Sequence, residues 1–463
     1  MTRHPTDART VGELRDSGWV DRSVKEELRA NLISRMRAGE ALFPGIVGYG
    51  DTVIPALERA ILAGHDLILL GERGQAKTRL IRRLVELLDP VTPVVEDCEI
   101  NDSPYRPVCA HCRQRLAEEG EATPIRWLGR DRRFGEKLAT PDTAVADLIG
   151  DVDPIRVAEG RYLSDELVIH YGLVPRTHRG IFSINELPDL PPRIQVSLLN
   201  VLEERDVQIR GFNVRLPLDL LLVATANPED YTNRGRIITP LKDRFGSEIR
   251  THYPHVRQDE IAIMRQEAEP PAAGVPVNVP AFMEDVIAEF SHQVRASGHV
   301  DHRSGVSVRL SIANLETLVA SAVRRAVRTG EAEAVPRISD LDAIIQSSLG
   351  RVEFEGFEEG RGLEILRRLL AQAVLEVFRE HLAGYEWAPV LEFFDGGGSL
   401  EVGDLVPTDR LLAQVGGLDV TGLLLRLGMR GESPGDAASA VEFACEGLHL
   451  TRRLNKDGDR YVS

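Results

Sequence analysis

No apolar stretch in this 463-residue sequence runs uninterrupted for the ~18–20 residues that a membrane span needs. Residues 1–13 are polar and carry no apolar core of the secretory type, so a cytoplasmic protein is expected. Cysteine is scarce, 4 in all, too few for a disulfide framework and in keeping with a reducing compartment. Positive charge is in deficit, with a formal net charge of -16. That argues against a duplex nucleic-acid surface, which shows a basic stripe, while leaving room for a local basic patch. No run of like charge is long enough to form a tail, and neither a tandem repeat nor a long low-complexity segment occurs. What is present is the mixture of a globular protein, 43% hydrophobic and 28% charged residues. At ~100–200 residues per domain the length allows about two to four units.

Residues 1–44 read as a helical lead-in. Ser23 and Glu26 have the spacing of a capping box, and Leu28, Leu32, Ile33 and Met36 then fall on one helical face. Gly39 and Phe43-Pro44-Gly45 end that helix. From residue 45 to 250 helices alternate with short apolar strands at residues 66–70, 180–184 and 220–224. This is the pattern of a parallel sheet covered on both faces. Residues 206–216 alternate around Gly211, which predicts a β-hairpin. Residues 251–358 are helix-rich, with helical stretches at 306–325 and 339–349. Residues 359–463 form a further helical region broken by Gly396-Gly397-Gly398.

The strongest motif is Gly71-Glu72-Arg73-Gly74-Gln75-Ala76-Lys77-Thr78, which follows an apolar strand and opens a helix. Backbone N–H groups at a helix N-terminus bind phosphate oxygens, so this is the context a P-loop requires. Lys77 would reach the β- and γ-phosphates of ATP, and the Thr78 hydroxyl would hold Mg²⁺. Ala76 stands where the pattern has glycine, a substitution tolerable if φ there is negative. A second element is Gly180-Ile181-Phe182-Ser183-Ile184-Asn185-Glu186. Glu186 is the candidate base that orients a water. Asn185 sits where an aspartate normally holds Mg²⁺ through water, and it keeps an acceptor oxygen without the charge. The third element, Leu221-Leu222-Val223-Ala224-Thr225-Ala226-Asn227-Pro228, ends a buried strand with a polar side chain, Asn227, able to hold the attacking water or the γ-phosphate.

In this order and spacing the three elements resemble the AAA+ ATPases, and in detail the branch of the magnesium-chelatase I subunit and the MoxR ATPases. Gly71-Glu72-Arg73-Gly74 looks like the chelatase P-loop, and Gln75-Ala76-Lys77-Thr78 like the MoxR version. Phe43-Pro44-Gly45-Ile46-Val47-Gly48 looks like the segment that contacts adenine, with Ile46 and Val47 at its centre. His178-Arg179-Gly180-Ile181 resembles the approach to the Walker B strand. Leu241-Lys242-Asp243-Arg244-Phe245-Gly246 is similar to the segment of the arginine finger, Arg244. Gly305-Val306-Ser307-Val308-Arg309 looks like sensor 2, with Arg309 contacting the γ-phosphate from a lid. Residues 141–179, including Gly160-Arg161-Tyr162-Leu163, look like the helix-2 insertion of this branch.

The resemblance covers roughly residues 43–325. It implies an α/β fold, a P-loop AAA+ αβα core over residues 45–250 with a parallel sheet. An all-helical lid over 251–358 and a helical C-terminal extension over 359–463 would follow. It also implies ATP and Mg²⁺ as cofactors, ATP hydrolysis, and a homo-oligomeric ring, a hexamer, in which Arg244 serves the neighbouring site. A partner protein with a von Willebrand A domain would be remodelled or loaded, in work linked to metal insertion. Two other readings stay open. Asn185 could slow turnover so far that nucleotide binding alone acts as a switch. A nucleic-acid motor is disfavoured by the charge and by the absence of the Gly-Ala-Phe-Thr-Gly-Ala loop of enhancer-binding activators.

Three further features stand outside these motifs. Cys109-Ala110-His111-Cys112 has the spacing of half a zinc site, with Cys98 upstream. A fourth ligand is not evident, residues 97–133 have loop composition, and zinc or free thiols both remain open. Arg126, Arg130, Arg132 and Arg133 around Trp127 and Phe134 could bind single-stranded nucleic acid, but read first as a solvated loop or subunit contact. Phe393 and Phe394 read first as core residues rather than a docking point.

Overall fold

Leu67-Ile68-Leu69-Leu70 is apolar without alternation, as a strand covered on both faces must be. The computed structural model describes all residues except 1–4, 154–167, 204–206, 210, 211, 215, 229–235, 272, 273, 302–304, 356–360, 417, 430 and 432. The chain divides into two units, Met1–His252 and Tyr253–Ser463.

In the first unit five strands form the sheet: β1 (Leu67–Leu70), β4 (Phe134–Leu138), β7 (Gly180–Asn185), β10 (Leu220–Ala226) and β11 (Ser247–Arg250). Their spatial order is β11-β1-β10-β7-β4, and every pairing is parallel. Among the described residues three antiparallel ribbons accompany it: β2 (Val91–Val95) with β3 (Ile125–Gly129), β5 (Gly150–Val152) with β6 (Ile169–Tyr171), and β8 (Val207–Ile209) with β9 (Phe212–Val214). The last is the expected hairpin.

Strand side chains alternate between two hydrophobic clusters. Leu67, Leu69, Ile181, Leu221 and Val223 point to one, together with residues of α2 (Val24–Ala38), α3 (Val53–Ala63) and α4 (Lys77–Leu84). Ile68, Leu70, Phe182, Ile184, Leu222 and Ala224 point to the other. The period of two thus splits each strand between two helical layers, which is why the run needs no polar face.

Ser23 caps α2 as expected: its hydroxyl accepts from the Glu26 N–H and the Glu26 carboxylate accepts from the Ser23 N–H. Leu28 and Leu32 are buried on this helix, but Met36 is exposed, because α2 reaches past the edge of its cluster before Gly39 (φ 68) stops it. Residues 97–133 are more ordered than their composition predicts, since they hold α5 (Ala110–Glu119) and strand β3. The strand was masked by Arg126 and Trp127, whose polar atoms are satisfied inside the fold. Trp127 Nε1 donates to the Ala8 carbonyl at 3.0 Å, and its indole meets Trp19 edge to face at 5.4 Å.

The second unit is helical, as expected, but its two sequence segments share one core running from Met264 to Tyr461. Phe394 is buried in that core and Phe393 packs against it, the structural role rather than a docking one. The helical expectation missed a small sheet of β12 (Leu400–Glu401), β14 (Arg460–Val462) and β13 (Asn455–Asp457). Strands this short show no readable alternation. Among the described residues no helix is long and apolar enough to cross a membrane.

Candidate nucleotide site

The carboxyl ends of β1, β7, β10 and β11 lie along one edge of the sheet, where ligands of open α/β folds bind. The loop after β1 is shaped by contacts that only its own residues permit. Gly71 donates its N–H to the Ala226 carbonyl at 3.1 Å. A Cβ at Gly71 would lie 1.9 Å from Thr251 Oγ1 and 2.2 Å from Gln75 Oε1, so glycine is required for close approach. Gln75 is buried, and its Oε1 accepts from the Glu72 N–H at 3.0 Å and the Thr251 hydroxyl at 2.7 Å. The loop turns through Gly74 (φ 75) and Ala76 (φ 53) into α4. The condition of a negative φ at Ala76 therefore fails. The final turn is left-handed, and an alanine there costs on the order of 1 kcal/mol against glycine.

Lys77 begins α4 and is buried. Its ammonium donates to the carbonyl of Gly71, to that of Glu72 at 2.8 Å and to Asn227 Oδ1 at 3.0 Å. The other end of the Asn227 amide, Nδ2, donates to Glu186 Oε2 at 3.0 Å. One amide at the end of β10 thus joins the phosphate-loop lysine to the candidate base. Glu186 itself adopts a left-handed backbone (φ 56), held by its N–H on Thr225 Oγ1 at 3.0 Å. Such strain persists only where surrounding bonds fix it, and it aims the carboxylate across the strand ends.

Asn185 Nδ2 donates to Glu136 Oε1 at 2.6 Å, which turns its Oδ1 away. That oxygen is buried and has no hydrogen-bond partner. A buried acceptor without a donor is expensive, and the waters of a hydrated cation are donors. Glu136, on β4, also pairs with Arg82 of α4 at 2.9 Å. The residues present therefore fit Mg²⁺: Asn185 supplies the acceptor, Glu136 beside it supplies a negative charge that asparagine lacks, and Thr78, half-buried on the first turn of α4, supplies a hydroxyl. When bound, the ion would neutralise charge on the terminal phosphates.

Ahead of α3, Ile46 packs on the cluster beneath the loop and Val47 is half-buried. The buried Tyr49 hydroxyl lies 2.9 Å from the Gln75 carbonyl and 2.8 Å from that of His252, and its single proton serves either. Burial pushes this phenol up to about 12. Tyr49 thereby ties the segment before α3 to the phosphate loop. Sequence reasoning missed Glu136, Tyr49 and Thr251. The available signal was weak: Thr251 directly follows an edge strand, and Glu136 lies in the short, half-buried strand β4.

Residues 164–244 match the family model described as the Sigma-54 interaction domain. The chain is 29% identical to the magnesium-chelatase subunit ChlI of Guillardia theta over 212 residues, 44% of this chain and 55% of that protein. It is 28% identical to the magnesium-chelatase 38 kDa subunit of Cereibacter sphaeroides over 227 residues, 48% of this chain and 62% of that one. Over that span the chain is similar to the AAA+ ATPases of the magnesium-chelatase I and MoxR branch. The matches span less than two thirds of each relative's length. A cryo-EM complex of subunits BchI and BchD of magnesium chelatase aligns at 19% identity and a TM-score of 0.36, over 72% of this chain and 95% of that one.

The other positions that the resemblance singles out lie on other elements. Arg244 is exposed at the end of the helix Thr239–Arg244. Arg309 is exposed as the first residue of the helix Arg309–Thr329, in the second unit. The motif Gly160-Arg161-Tyr162-Leu163 expected to belong to a helix-2 insertion lies outside the described residues, and the strands β5 and β6 flank it in sequence. His178 and Arg179 before the Walker B strand are buried and structural. Arg179 donates to the Pro93 carbonyl at 2.5 Å, Asp21 at 2.9 Å and Thr92 at 3.0 Å.

Arg133 and Arg126 of the basic cluster are used inside the fold, whereas Arg132 is exposed. Arg133 is buried and makes a two-pronged pair with Glu27 at 2.7 and 2.6 Å. Arg126 donates to Asn101 Oδ1 at 3.2 Å, and Trp127 is engaged with Trp19 and Ala8. The cysteines do find a fourth group. The ligand atoms of Cys98, Asp102, Cys109 and Cys112 all lie within 4.8 Å of one another, and all four residues are buried. His111, inside the CxxC, is exposed. Burial and the neighbouring Cys98 raise the Asp102 carboxyl to about 6.

Proposed function

We propose that this chain is an ATP-hydrolysing AAA+ ring motor that remodels or loads a partner protein carrying a von Willebrand A domain, in work linked to metal insertion. The observation that carries the hydrolytic part is the relay Lys77–Asn227–Glu186 across the strand ends. Lys77 and the loop N–H groups hold the β- and γ-phosphates. Glu186 takes the role of base toward an attacking water, and Asn227 reports the phosphate end of the site to it. Arg244 serves the site of the neighbouring subunit, where a cationic finger is worth roughly 10³–10⁵ in rate in other NTPases. Arg309 senses the γ-phosphate from the lid. The partner and the metal-linked task rest on the likeness to magnesium-chelatase I subunits over part of their length.

The test is steady-state ATPase activity of wild type beside Glu186→Gln, with the assembly mass measured with and without ATP. The expected result is a fall of about 10²–10⁴-fold in the variant, the usual contribution of a positioned base, together with an ATP-dependent ring. Tight nucleotide binding without turnover in the wild type would overturn the motor. The missing charge at Asn185 would then mark the chain as a nucleotide-bound switch.

A further inference from the structure

We propose that Cys98, Cys109, Cys112 and Asp102 form a closed, four-coordinate zinc site that staples α5 to the loop after β2. The site is distinct from the nucleotide edge and independent of the proposed ATPase.

The geometry is that of a nearly assembled tetrahedron. Zn–S bonds of ~2.3 Å at tetrahedral angles place thiolates about 3.8 Å apart, and the four donor atoms here already lie within 4.8 Å of one another. None of the three cysteines is in a disulfide, and all are buried. Two backbone N–H groups are aimed at sulfur. Asp102 N–H donates to Cys98 Sγ at 3.3 Å, and Cys112 N–H donates to Cys109 Sγ at 3.3 Å. Both bonds favour the thiolate form that binds metal.

Asp102 is equally oriented. Its carboxylate accepts from the N–H of Val108 at 2.9 Å and of Cys109 at 2.9 Å, which fixes the loop that delivers the CxxC. On its other side stands His178. The Nδ1 of that ring accepts from the Asp219 N–H at 3.0 Å, so its Nε2 carries the proton and faces Asp102 Oδ1 at 3.6 Å. At that distance the imidazole is a neighbour of the carboxylate rather than a hydrogen-bond partner, standing where metal sites keep an outer supporting group. Cysteine alone as a small apolar filler does not account for a fully buried carboxylate converging on the same point. Three soft thiolates with one oxygen in a buried tetrahedral set select zinc over magnesium or calcium, which take oxygen ligands.

The consequence is mechanical. Cys98 and Asp102 follow β2, and Cys109 and Cys112 open α5. Through His178, Asp102 also touches the approach to β7, the strand that carries Asn185. The metal would hold a helix and a loop that otherwise contribute few apolar contacts.

The experiment is elemental analysis of the full-length protein, expressed with zinc in the medium and desalted without chelator. One zinc per chain is expected, released in step with thiol titration by a mercurial reagent. Exchange with cobalt(II) should give thiolate charge-transfer and tetrahedral ligand-field absorption, a readout that needs no variant. Asp102→Asn should weaken zinc at least about tenfold in competition with a chromophoric chelator, whereas His111→Ala should leave it unchanged. Wild-type protein with less than about a tenth of a zinc per chain, or a Cys98 disulfide in place of metal, would overturn the site. So would loss of zinc in His111→Ala with retention in Asp102→Asn. None of these readouts involves nucleotide, so failure here is separable from failure of the ATPase reading.

Discussion

Exchanging Asn185 for aspartate restores the charge usual at this position, but the structure predicts a penalty. Asn185 Nδ2 donates to Glu136 Oε1 at 2.6 Å, and Asn185→Asp replaces that donor with a second carboxylate. A hydrogen bond to a charged group is worth about 1.5–3 kcal/mol. Two unit charges ~3 Å apart at an effective dielectric of ~20 repel by about 5 kcal/mol. The Glu136 side chain is 22% exposed and shares its charge with Arg82, so solvent and cation reduce the repulsion to about 2 kcal/mol. The variant should therefore lose roughly 4 kcal/mol at neutral pH without Mg²⁺.

The sign of the pH dependence follows. Repulsion raises the folded-state pKa of the introduced carboxyl, so just above the ordinary carboxylate range the folded state holds a proton that the unfolded state has released. Stability of the variant, relative to wild type, falls as pH rises through that window and recovers below it. Added Mg²⁺ should narrow the gap, and so should the swap Glu136→Gln/Asn185→Asp, in which amide and carboxylate exchange sides. The assay is urea denaturation in a Trp387→Phe background, where fluorescence reports the first unit through Trp19 and Trp127. A variant within about 0.5 kcal/mol of wild type at neutral pH, indifferent to Mg²⁺ and to the swap, would refute the reasoning.

Ala76→Gly should stabilise the first unit by about 0.5–1 kcal/mol, because the left-handed φ of 53 suits glycine; a thermal melt that drops would contradict it. Gly71→Ala should abolish nucleotide binding in equilibrium titration, since its Cβ would meet Thr251 Oγ1 at 1.9 Å. Arg133→Met should cost about 3–5 kcal/mol in denaturant unfolding, as it leaves the buried Glu27 carboxylate without its cation. Tyr49→Phe should cost about 1–2 kcal/mol and weaken nucleotide affinity, read by melting and titration, because the loop loses its tie at the Gln75 carbonyl.

The readable part of the site was local. Gly71 to Thr78 follow one strand, and Asn185 with Glu186 and Asn227 end two others, so each motif lies within a few residues of the strand that presents it. The parts that sequence reasoning missed are brought in by pairing. Glu136 reaches Asn185 only because β4 lies beside β7. Asp102 completes the cysteine set across a loop, from a position with no CxxC-like spacing. The sign of φ at Ala76 was not legible because it depends on how the loop closes onto Thr251 and Tyr49, which lie outside the motif. The short strands β12 to β14 escaped because two or three residues carry no period.

The N-terminal segment bears on the order in which this chain can fold during synthesis. The N–H of Val24, at the start of α2, is received by Asp219, 195 residues later, and Asp21 waits for Arg179 in the same way. At ~5–20 residues per second, about 10–40 seconds separate the emergence of the two ends of that first contact. Over this interval α2 has α3 to pack on, while the sheet strand that completes its cluster is still unmade. The contacts of Val24 and Asp21 with these distant residues are thus among the last in the first unit to be secured.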